Sequence, residues 1–264
     1  MRSLLRALRP VAAGAGLLLA LPGAQAGEIA PAERRSGFAV MGRETQAMQQ
    51  DDTANPGMLW VREGEEAWGR KAGPADLSCA GCHGEADASM RGVAARYPAF
   101  DARQGRPITL EERINQCRSE RQGAKRLAAE SQELLGLAAF VASRSRGMPI
   151  ATGGDARLRP FLENGRKLFT QRQGQLDLSC AACHDDNWGK RLAGNPVPQG
   201  HPTGYPLYRL EWQALGSLQR RLRNCLTGMR AELYAPGAPE YADLELYLMS
   251  RAQGLPIETP AVRP

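Results

Sequence analysis

Four of the six cysteines lie in two copies of one short motif. The copies are Cys79-Ala80-Gly81-Cys82-His83 and Cys180-Ala181-Ala182-Cys183-His184. A Cys-x-x-Cys-His sequence attaches haem c: the two thiols form thioethers with the porphyrin vinyl groups, and the histidine ligates the iron. We therefore predict two covalently bound haem c groups, held by Cys79, Cys82, Cys180 and Cys183, with His83 and His184 as axial iron ligands.

Other uses of these cysteines fit the sequence less well. An exported chain ordinarily pairs six cysteines into three disulfides. A thioredoxin-like Cys-x-x-Cys needs a βαβ context, and a zinc site needs further cysteine or histidine ligands nearby; neither pattern is present. Two complete copies of the haem motif in one chain favour haem attachment.

The second axial ligand of each iron is a separate question, because the chain has only three histidines. The motifs use two, and His201 alone cannot serve both haems. The methionines that follow a haem motif do not stand at equivalent positions in the two halves; they are Met90, Met148, Met229 and Met249. Cys117 and Cys225 are equivalently placed, which predicts thiolate ligation of both irons. One disulfide between these two cysteines is the alternative.

The second half of the chain repeats the first. Asp76-Leu77-Ser78-Cys79 recurs as Asp177-Leu178-Ser179-Cys180, and one constant offset relates a second set of residues. The members of that set are Tyr97-Pro98, Arg113 and Cys117, matched by Tyr205-Pro206, Arg221 and Cys225. Each copy therefore contains the haem motif followed by a lone cysteine.

Each copy also begins and ends with a predicted helix. The first helix carries a small residue, Gly64 or Gly165, four positions before an aromatic one, so a closing helix is expected to pack closely against it. The closing helices end at a glycine that is followed by a proline. We predict an all-α fold of two tandem cytochrome c domains, residues 60–150 and 158–264, preceded by an N-terminal extension, residues 27–59.

The N-terminus has the pattern of a secretory signal peptide. Three arginines within the first nine residues precede an apolar run, residues 11–21, that is too short to span a bilayer. Ala24-Gln25-Ala26 then matches the small-x-small site of signal peptidase. We expect residues 1–26 to be removed and the mature protein to be periplasmic, with no membrane span. A short anchor helix is the alternative.

The charge of the chain argues against nucleic acid as a partner. The formal net charge of +6 falls to +3 once the three leader arginines are removed. The sequence has no basic tract with interleaved aromatic residues of the kind that binds single strands. A mildly basic protein of this kind favours anionic small molecules or acidic partner proteins.

Two haem motifs, each followed by a lone cysteine, resemble the A subunits of the SoxAX cytochromes of bacterial sulfur oxidation. The resemblance spans nearly the whole mature chain, and the first haem motif, which some relatives have lost, is intact here. The segments most similar to that family's are Glu112-Arg113-Ile114-Asn115-Gln116-Cys117-Arg118, Gly200-His201-Pro202-Thr203-Gly204-Tyr205-Pro206, Arg221-Leu222-Arg223-Asn224-Cys225 and Met229-Arg230-Ala231-Glu232.

The resemblance implies an L-cysteine S-thiosulfotransferase with its chemistry at the second haem. In that family the cysteine at the position of Cys225 is the active site and is found as a persulfide, whereas Cys117 would be a ligand only. Thiosulfate is joined oxidatively to a cysteine of a SoxYZ-like sulfur-carrier protein. A small SoxX-like monohaem cytochrome c is the heterodimer partner that carries the electrons onward.

A thiosulfate dianion needs fixed cations, and arginine suits oxyanions because its planar fork donates two parallel hydrogen bonds. Arg221 precedes Cys225 by one helical turn, and Arg251 lies on the closing helix; we predict both as substrate contacts, with Arg230 as a third candidate. Haem propionates or scaffold contacts are the alternative, because the first repeat has equivalent residues where no catalysis is expected. These residues are Arg113 and Arg144.

The repeats differ in the length of the segment between the haem motif and the Tyr-Pro pair that both contain. The segment from His184 to Tyr205 is seven residues longer than its counterpart in the first repeat. It contains His201, for which a base or substrate contact and a structural loop role are both possible. This asymmetry supports a special role for the second haem.

Two other functions fit the same motifs. A dihaem electron-transfer cytochrome would use both lone cysteines only to tune the reduction potential. A thiosulfate dehydrogenase would join two thiosulfates into tetrathionate without a carrier protein. A dihaem peroxidase fits less well, because it needs an open distal position and both positions have a predicted ligand.

Overall fold

A computed structural model describes residues 29–264, so the predicted signal peptide, residues 1–26, lies outside the described residues. The helices of this part are α1 Arg43–Gln50, α2 Gly57–Gly69, α3 Cys79–His83, α4 Ala86–Ser89, α5 Leu110–Glu120, α6 Gln132–Ser143, α7 Arg159–Thr170, α8 Cys180–His184, α9 Leu218–Gly228 and α10 Pro239–Arg251. Among residues 29–264, no helix combines the length and apolar character that a bilayer crossing requires.

Each repeat is built around one crossing of its first and last helices. Helix α2 packs on α6 in the first repeat, and α7 packs on α10 in the second. A Cβ atom at Gly64 would lie 2.1 Å from the carbonyl oxygen of Gly136, and one at Gly165 would lie 2.1 Å from that of Asp243. No side chain fits in that space, so the glycines are what allow the helices to approach. The predicted packing role is confirmed.

The expectation of a strictly all-α fold is corrected by seven short strands within the described residues. They are β1 Ala99–Asp101, β2 Arg106–Ile108, β3 Arg191–Leu192, β4 Asn195–Pro196, β5 Leu207–Arg209, β6 Ala214–Gly216 and β7 Val262–Arg263. Hairpin β1–β2 of the first repeat is matched by β5–β6 of the second, and β7 adds to β5 in parallel. Hairpin β3–β4 lies in the longer segment of the second repeat.

The two repeats meet through their own closing segments, which pair with each other. Ile150 N–H donates to Leu255 O, and Ile257 N–H donates to Met148 O, both at 2.9 Å. Because Met148 matches Leu255 and Ile150 matches Ile257 in the repeat, the pairing is nearly two-fold symmetric. The side chains of Ile150 and Ile257 share a small apolar core with Met249. The domains therefore form one continuous structure.

The described part of the predicted N-terminal extension, residues 29–59, runs along the second repeat and the C-terminal strand. Asn55 Nδ2 donates to Pro260 O at 2.9 Å, and Arg35 N–H donates to the side chain of Gln199 at 2.7 Å. Arg263 donates to the side-chain oxygen of Gln49. Polar contacts of this kind bind the extension to the protein surface, which agrees with the absence of a repeat partner for it in the sequence.

Candidate haem and thiolate sites

Both haem motifs form a single helical turn that a serine caps. Ser78 Oγ accepts a hydrogen bond from Gly81 N–H at 2.9 Å, and Ser179 Oγ accepts one from Ala182 N–H at 3.0 Å. A serine at the N-cap satisfies a helix-start N–H that would otherwise lack a partner. The repeated Leu-Ser-Cys sequence thus sets the direction of α3 and α8 and of the cysteines on them.

A tight turn before each motif lies against the segment that follows the lone cysteine. Gly73 and Gly174 have positive φ angles of 65° and 73°. A Cβ at Gly73 would lie 2.0 Å from Gln122 O, and one at Gly174 would lie 2.3 Å from Met229 O. Glycine is required here for both reasons. The contact holds the helix of the lone cysteine, α5 or α9, beside the haem motif.

The second site brings His184 and Cys225 together. The Nδ1 atom of His184 lies 2.7 Å from the carbonyl oxygen of Pro198, and this bond orients the ring with Nε2 available as a ligand. The side chains of Cys225 and His184 share a hydrogen bond. Burial opposes ionisation of Cys225, but that bond and the charge of Arg221 outweigh it, so the pKa of this thiol lies below its usual value.

The first site has the same plan and a different electrostatic balance. The charges of Cys79, Cys82 and Cys117 act on one another, so the three sulfurs lie in one region. The ring centroid of His83 lies 5.7 Å from that of Trp68. Burial raises the pKa of Cys117 above its usual value despite the charge of Arg113. The two lone cysteines are therefore unequal, although the sequence places them equivalently.

The alternative of a disulfide between the lone cysteines is not what the structure shows. All six cysteines lie in the described part of the chain, and none is bonded to another. Each lone cysteine instead faces the cysteines of its own haem motif. Three of the four methionines considered as ligands have core positions: Met90 lies in the first core, Met229 in the second and Met249 between the repeats. The fourth, Met148, is half-buried in the closing segment of the first repeat.

The donor set of each repeat fits a c-type haem. Two thiols and an imidazole lie on one helical turn, and a third thiol lies near them. A c-type haem would need this set, two thiols for covalent attachment and two donors for the iron. The guanidinium Nε atoms of Arg144 and Arg251 are buried without a hydrogen-bond partner, one in each repeat. Buried donors left without an acceptor indicate a missing polar group. The acidic propionates of haem are groups of that kind.

Arg251, predicted as a substrate contact, has its own partners in the structure. Its guanidinium binds Asp185, which follows His184 in sequence, and stacks on the Phe169 ring at 4.4 Å. Arg144 binds Asp87 at 3.0 Å and stacks on Phe140 at 4.3 Å. Both arginines thus bind an aspartate and stack on a phenylalanine, although Asp185 is buried and Asp87 is exposed. A substrate role for Arg251 therefore stays a prediction.

Arg221 and its counterpart Arg113 differ in their surroundings. Arg113 binds the carboxylate of Asp101 at 2.9 Å, and its Nε donates to Tyr97 Oη at 3.3 Å. Arg221 makes no ion pair with a carboxylate among residues 29–264, and its charge acts on Cys225 and Tyr205. Of the two predicted substrate contacts, Arg221 is therefore the one that lies beside Cys225 without a carboxylate partner in the described part of the chain. Arg230, the third candidate, is exposed at a positive φ of 55° beyond α9.

His201 has a structural position. Its Nδ1 lies 2.8 Å from the carbonyl oxygen of Arg35, which links the longer segment of the second repeat to the N-terminal extension. Burial lowers the pKa of His201 to about 4, so the ring is neutral near pH 7. Of the two roles that the sequence left open, the observed contacts favour the structural one.

Comparison with known proteins agrees with this geometry. A family model for the SoxA/TsdA cytochrome c domain matches residues 63–150 and 164–257. The SoxA subunit of L-cysteine S-thiosulfotransferase from Rhodovulum sulfidophilum is 38% identical over 231 residues, 88% of this chain and 80% of that protein. The chain belongs to the SoxA family. The resemblance read from the sequence is therefore confirmed.

Further relatives of this SoxA-family chain extend the agreement to structure. The SoxA subunit from Pseudaminobacter salicylatoxidans is 38% identical over 88% of this chain and 81% of that protein. The crystal structure of SoxXA from P. pantotrophus superposes with a TM-score of 0.84 at 33% identity, covering 88% of this chain and 87% of that one. The family assignment confirms the tandem cytochrome c domains and covalently bound haem c.

Two residues at the second site were missed by the sequence reasoning. Asp185 was not considered, although it follows His184 directly and its side chain is only 7% exposed. Arg209 was also missed, and its charge acts on Cys225 together with that of Arg221. The signal for Arg209 was present in the repeat: the constant offset that matches Cys117 to Cys225 places Arg209 opposite Asp101.

Proposed function

We propose that this chain is the haem-bearing A subunit of an L-cysteine S-thiosulfotransferase, with two haem c groups and its active site at Cys225. One observation carries the proposal: Cys225 faces His184 beside the unpaired charge of Arg221, in a chain 38% identical to curated SoxA subunits. Residues 60–150 and 158–264 form the haem domains. The haems attach through Cys79, Cys82, Cys180 and Cys183, and the axial ligand pairs are His83 with Cys117 and His184 with Cys225.

Cys225 holds the substrate sulfur, and arginine binds its anionic end. The thiolate of Cys225 bonds to the outer sulfur of thiosulfate, which gives a Cys225–S–S–SO3⁻ adduct and releases two electrons. Arg221, one helical turn before Cys225, binds the sulfonate oxygens through its planar fork. Arg251 is the second predicted substrate contact. When bound, haem c supplies an acceptor for single electrons.

The carrier cysteine then takes the sulfur from Cys225. Its thiolate attacks the outer sulfur, a new carrier–S–S–SO3⁻ bond forms, and the bond to Cys225 breaks with the Cys225 thiolate as leaving group. Overall, a carrier thiol and thiosulfate give the S-thiosulfonate, one proton and two electrons. The surroundings that favour the ionised form of Cys225 serve both steps, because sulfur reacts and leaves as the thiolate.

The partners and location follow from the same proposal. A SoxX-like monohaem cytochrome c forms the heterodimer and takes the electrons, and a SoxYZ-like carrier protein supplies the acceptor cysteine. The superposition on SoxXA supports a heterodimer of this type. The protein works in the periplasm after removal of residues 1–26.

A matched pair of variants tests the assignment of Cys225. Cys225→Ala should retain both haems, read as the haem c absorbance per protein, and lose thiosulfate transfer by at least about 10³-fold, the scale of removing a nucleophile. Cys117→Ala removes the equivalent first-repeat sulfur and should keep most of the activity. Retained transfer activity in Cys225→Ala would contradict the proposal.

Mass spectrometry separates this function from electron transfer alone. The tryptic peptide that contains Cys225, isolated from protein purified with thiosulfate, should carry one extra sulfur atom. The peptide that contains Cys117 serves as the internal control and should not. Tetrathionate formation by the purified protein without any carrier would instead favour a thiosulfate dehydrogenase.

A further inference from the structure

Position 209 reverses the charge that the first repeat has at the same place. In the first repeat, Asp101 at the end of β1 binds Arg113 at 2.9 Å, and the aspartate side chain is only 3% exposed. In the second repeat, Arg209 ends β5 and Arg221 lies on α9. The hairpins have the same register, so two arginines stand where the first repeat has a neutral ion pair.

These two arginines are not neutralised by the rest of the site. Arg209 binds only Glu211 among the acidic residues of the described chain, at 3.0 Å, and the Glu211 carboxylate is 64% exposed to solvent. The Nε atom of Arg209 is buried and lacks a hydrogen-bond acceptor. Arg221 has no carboxylate partner within residues 29–264. Burial and the charge of Arg221 lower the pKa of Arg209.

Two like charges held close together and partly buried destabilise a protein unless an anion joins them. The first repeat avoids this cost with Asp101. In the second repeat both guanidiniums lie near Cys225, because the charges of Arg209 and Arg221 both lower the pKa of its thiol. An anion that lies between the two arginines would satisfy the orphaned Nε and neutralise the pair.

We propose that Arg209 and Arg221 together form the anion subsite of the second haem, which binds the sulfonate group of the substrate. The inference rests on the proposed function for the identity of that anion. Arg209 donates a hydrogen bond to the anion from its Nε, and Arg221 donates from its two terminal guanidinium nitrogens. The two positive charges equal the two negative charges of thiosulfate. Asp101 and Arg113 neutralise each other in the first repeat, and no anion binds there.

The substitution Arg209→Asp tests the subsite because it copies an arrangement that this fold already contains. An aspartate at 209 should bind Arg221 as Asp101 binds Arg113, so the protein should fold and retain both haems. In the heterodimer with its carrier protein, KM for thiosulfate should rise about tenfold or more, the scale of a lost charged hydrogen bond. Arg209→Lys, which keeps the charge, should recover most of this loss.

Arg220→Asp is the matched control. Arg220 and Arg209 both pack on the Trp212 ring, at 4.1 Å and 5.1 Å from its centroid. Replacing Arg220 by aspartate changes the net charge of the protein by the same amount as Arg209→Asp. Arg220→Asp should leave KM within about twofold, because the charges that lower the pKa of Cys225 are those of His184, Arg221 and Arg209, and that of Arg220 is not among them. Equal KM values for wild type and Arg209→Asp would overturn the proposal, as would loss of haem in both Arg209 variants, which would assign the arginine to a haem propionate.

A binding measurement separates this subsite from the proposed function. Sulfite and thiosulfate binding to the oxidised holoprotein is followed by the change in the haem absorption spectrum, without a carrier protein. Weaker binding in Arg209→Asp than in wild type supports the anion subsite even if no thiosulfate transfer is found. Binding that is unchanged in Arg209→Asp would overturn the subsite while leaving the transferase proposal intact.

Discussion

Asp185 and Arg251 form a buried ion pair directly after His184, the predicted axial ligand of the second repeat. The two groups lie 2.5 Å apart, and their side chains are 7% and 3% exposed. Because Asp185 follows His184 in sequence, the pair joins the end of the haem motif to the closing helix α10. The stacking of Arg251 on Phe169, which is fully buried, holds the guanidinium in place. The contact connects the two ends of the second repeat at its haem site.

Loss of this arginine should destabilise the second repeat strongly. In Arg251→Ala the Asp185 carboxylate remains buried without a counter-charge, a change that costs about 3–5 kcal/mol. Arg144→Ala is the control in the first repeat, where the Asp87 partner is 84% exposed and the expected loss is about 1 kcal/mol. Urea denaturation of the holoproteins measures both. If Arg251 instead serves only the substrate, its variant will raise KM for thiosulfate with unchanged stability.

The helix crossings predict a second pair of effects. Gly165→Ala places a methyl group 2.1 Å from the carbonyl oxygen of Asp243, so α7 and α10 must separate. The expected loss is at least about 2 kcal/mol, the scale of an overpacked core. Gly69→Ala, at a helix position with nothing within 4 Å of the new atom, should be neutral or stabilise by up to about 1 kcal/mol. Thermal unfolding that ranks the two variants equally would contradict this account of the crossing.

Local features of this fold could be read from the sequence because they depend on short spacings. The haem turns, their serine caps and the glycines at the helix crossings all recur in the repeat. The strands could not be read, because each has only two or three residues, too few to show a period of two. Their pairing depends on the turns between them and, for Val262, on a partner more than fifty residues away.

The electrostatics of the site were predictable only in part. Spacing on a helix placed Arg221 next to Cys225, and the structure agrees. The partner of Arg251 is 66 residues away in sequence, and no local pattern connects the two. The path of the N-terminal extension could not be predicted from the sequence either, because it depends on single contacts such as that of Arg35 with Gln199. Contacts of this type follow from the tertiary fold and leave no periodic signal.

Two glutamates at the boundary between the repeats predict a loss of stability at higher pH. Burial raises the pKa of Glu111 on α5, and burial together with the charge of Glu111 raises the pKa of Glu245 on α10 well above its usual value. The folded protein therefore binds more protons than the unfolded chain above about pH 4.5, and its stability falls as pH rises through the folded pKa values.

Glu245→Gln should remove most of this dependence. The variant should be more stable than wild type at pH 7 and nearly equal to it at pH 4, because only the ionised carboxylate is disfavoured. Glu66→Gln, at an exposed position on α2, is the control and should follow wild type at both values. Urea denaturation across this range measures the difference. A stability gain that is the same at pH 4 and pH 7 would show that packing, not charge, is responsible.

His201 predicts the opposite dependence. Burial lowers its pKa from the usual 6.5 to about 4. Between those values the unfolded chain binds a proton that the folded chain does not, so this histidine makes the protein less stable as pH falls from about 6.5 to 4. A protonated ring would also be an unpaired charge in a buried position beside the extension at Arg35.

The variant His201→Gln separates this effect from that of the glutamate pair. It removes the titrating group, so the stability of the variant should fall less than that of wild type between pH 6.5 and pH 4, by up to about 3 kcal/mol. Above pH 7 the variant should be somewhat less stable, because the contact with Arg35 is altered. Urea denaturation of wild type, His201→Gln and Glu245→Gln at pH 4, 5.5 and 7 should give acid slopes that change in opposite directions. An acid slope in His201→Gln equal to that of wild type would mean that another group controls the acid stability of the second repeat.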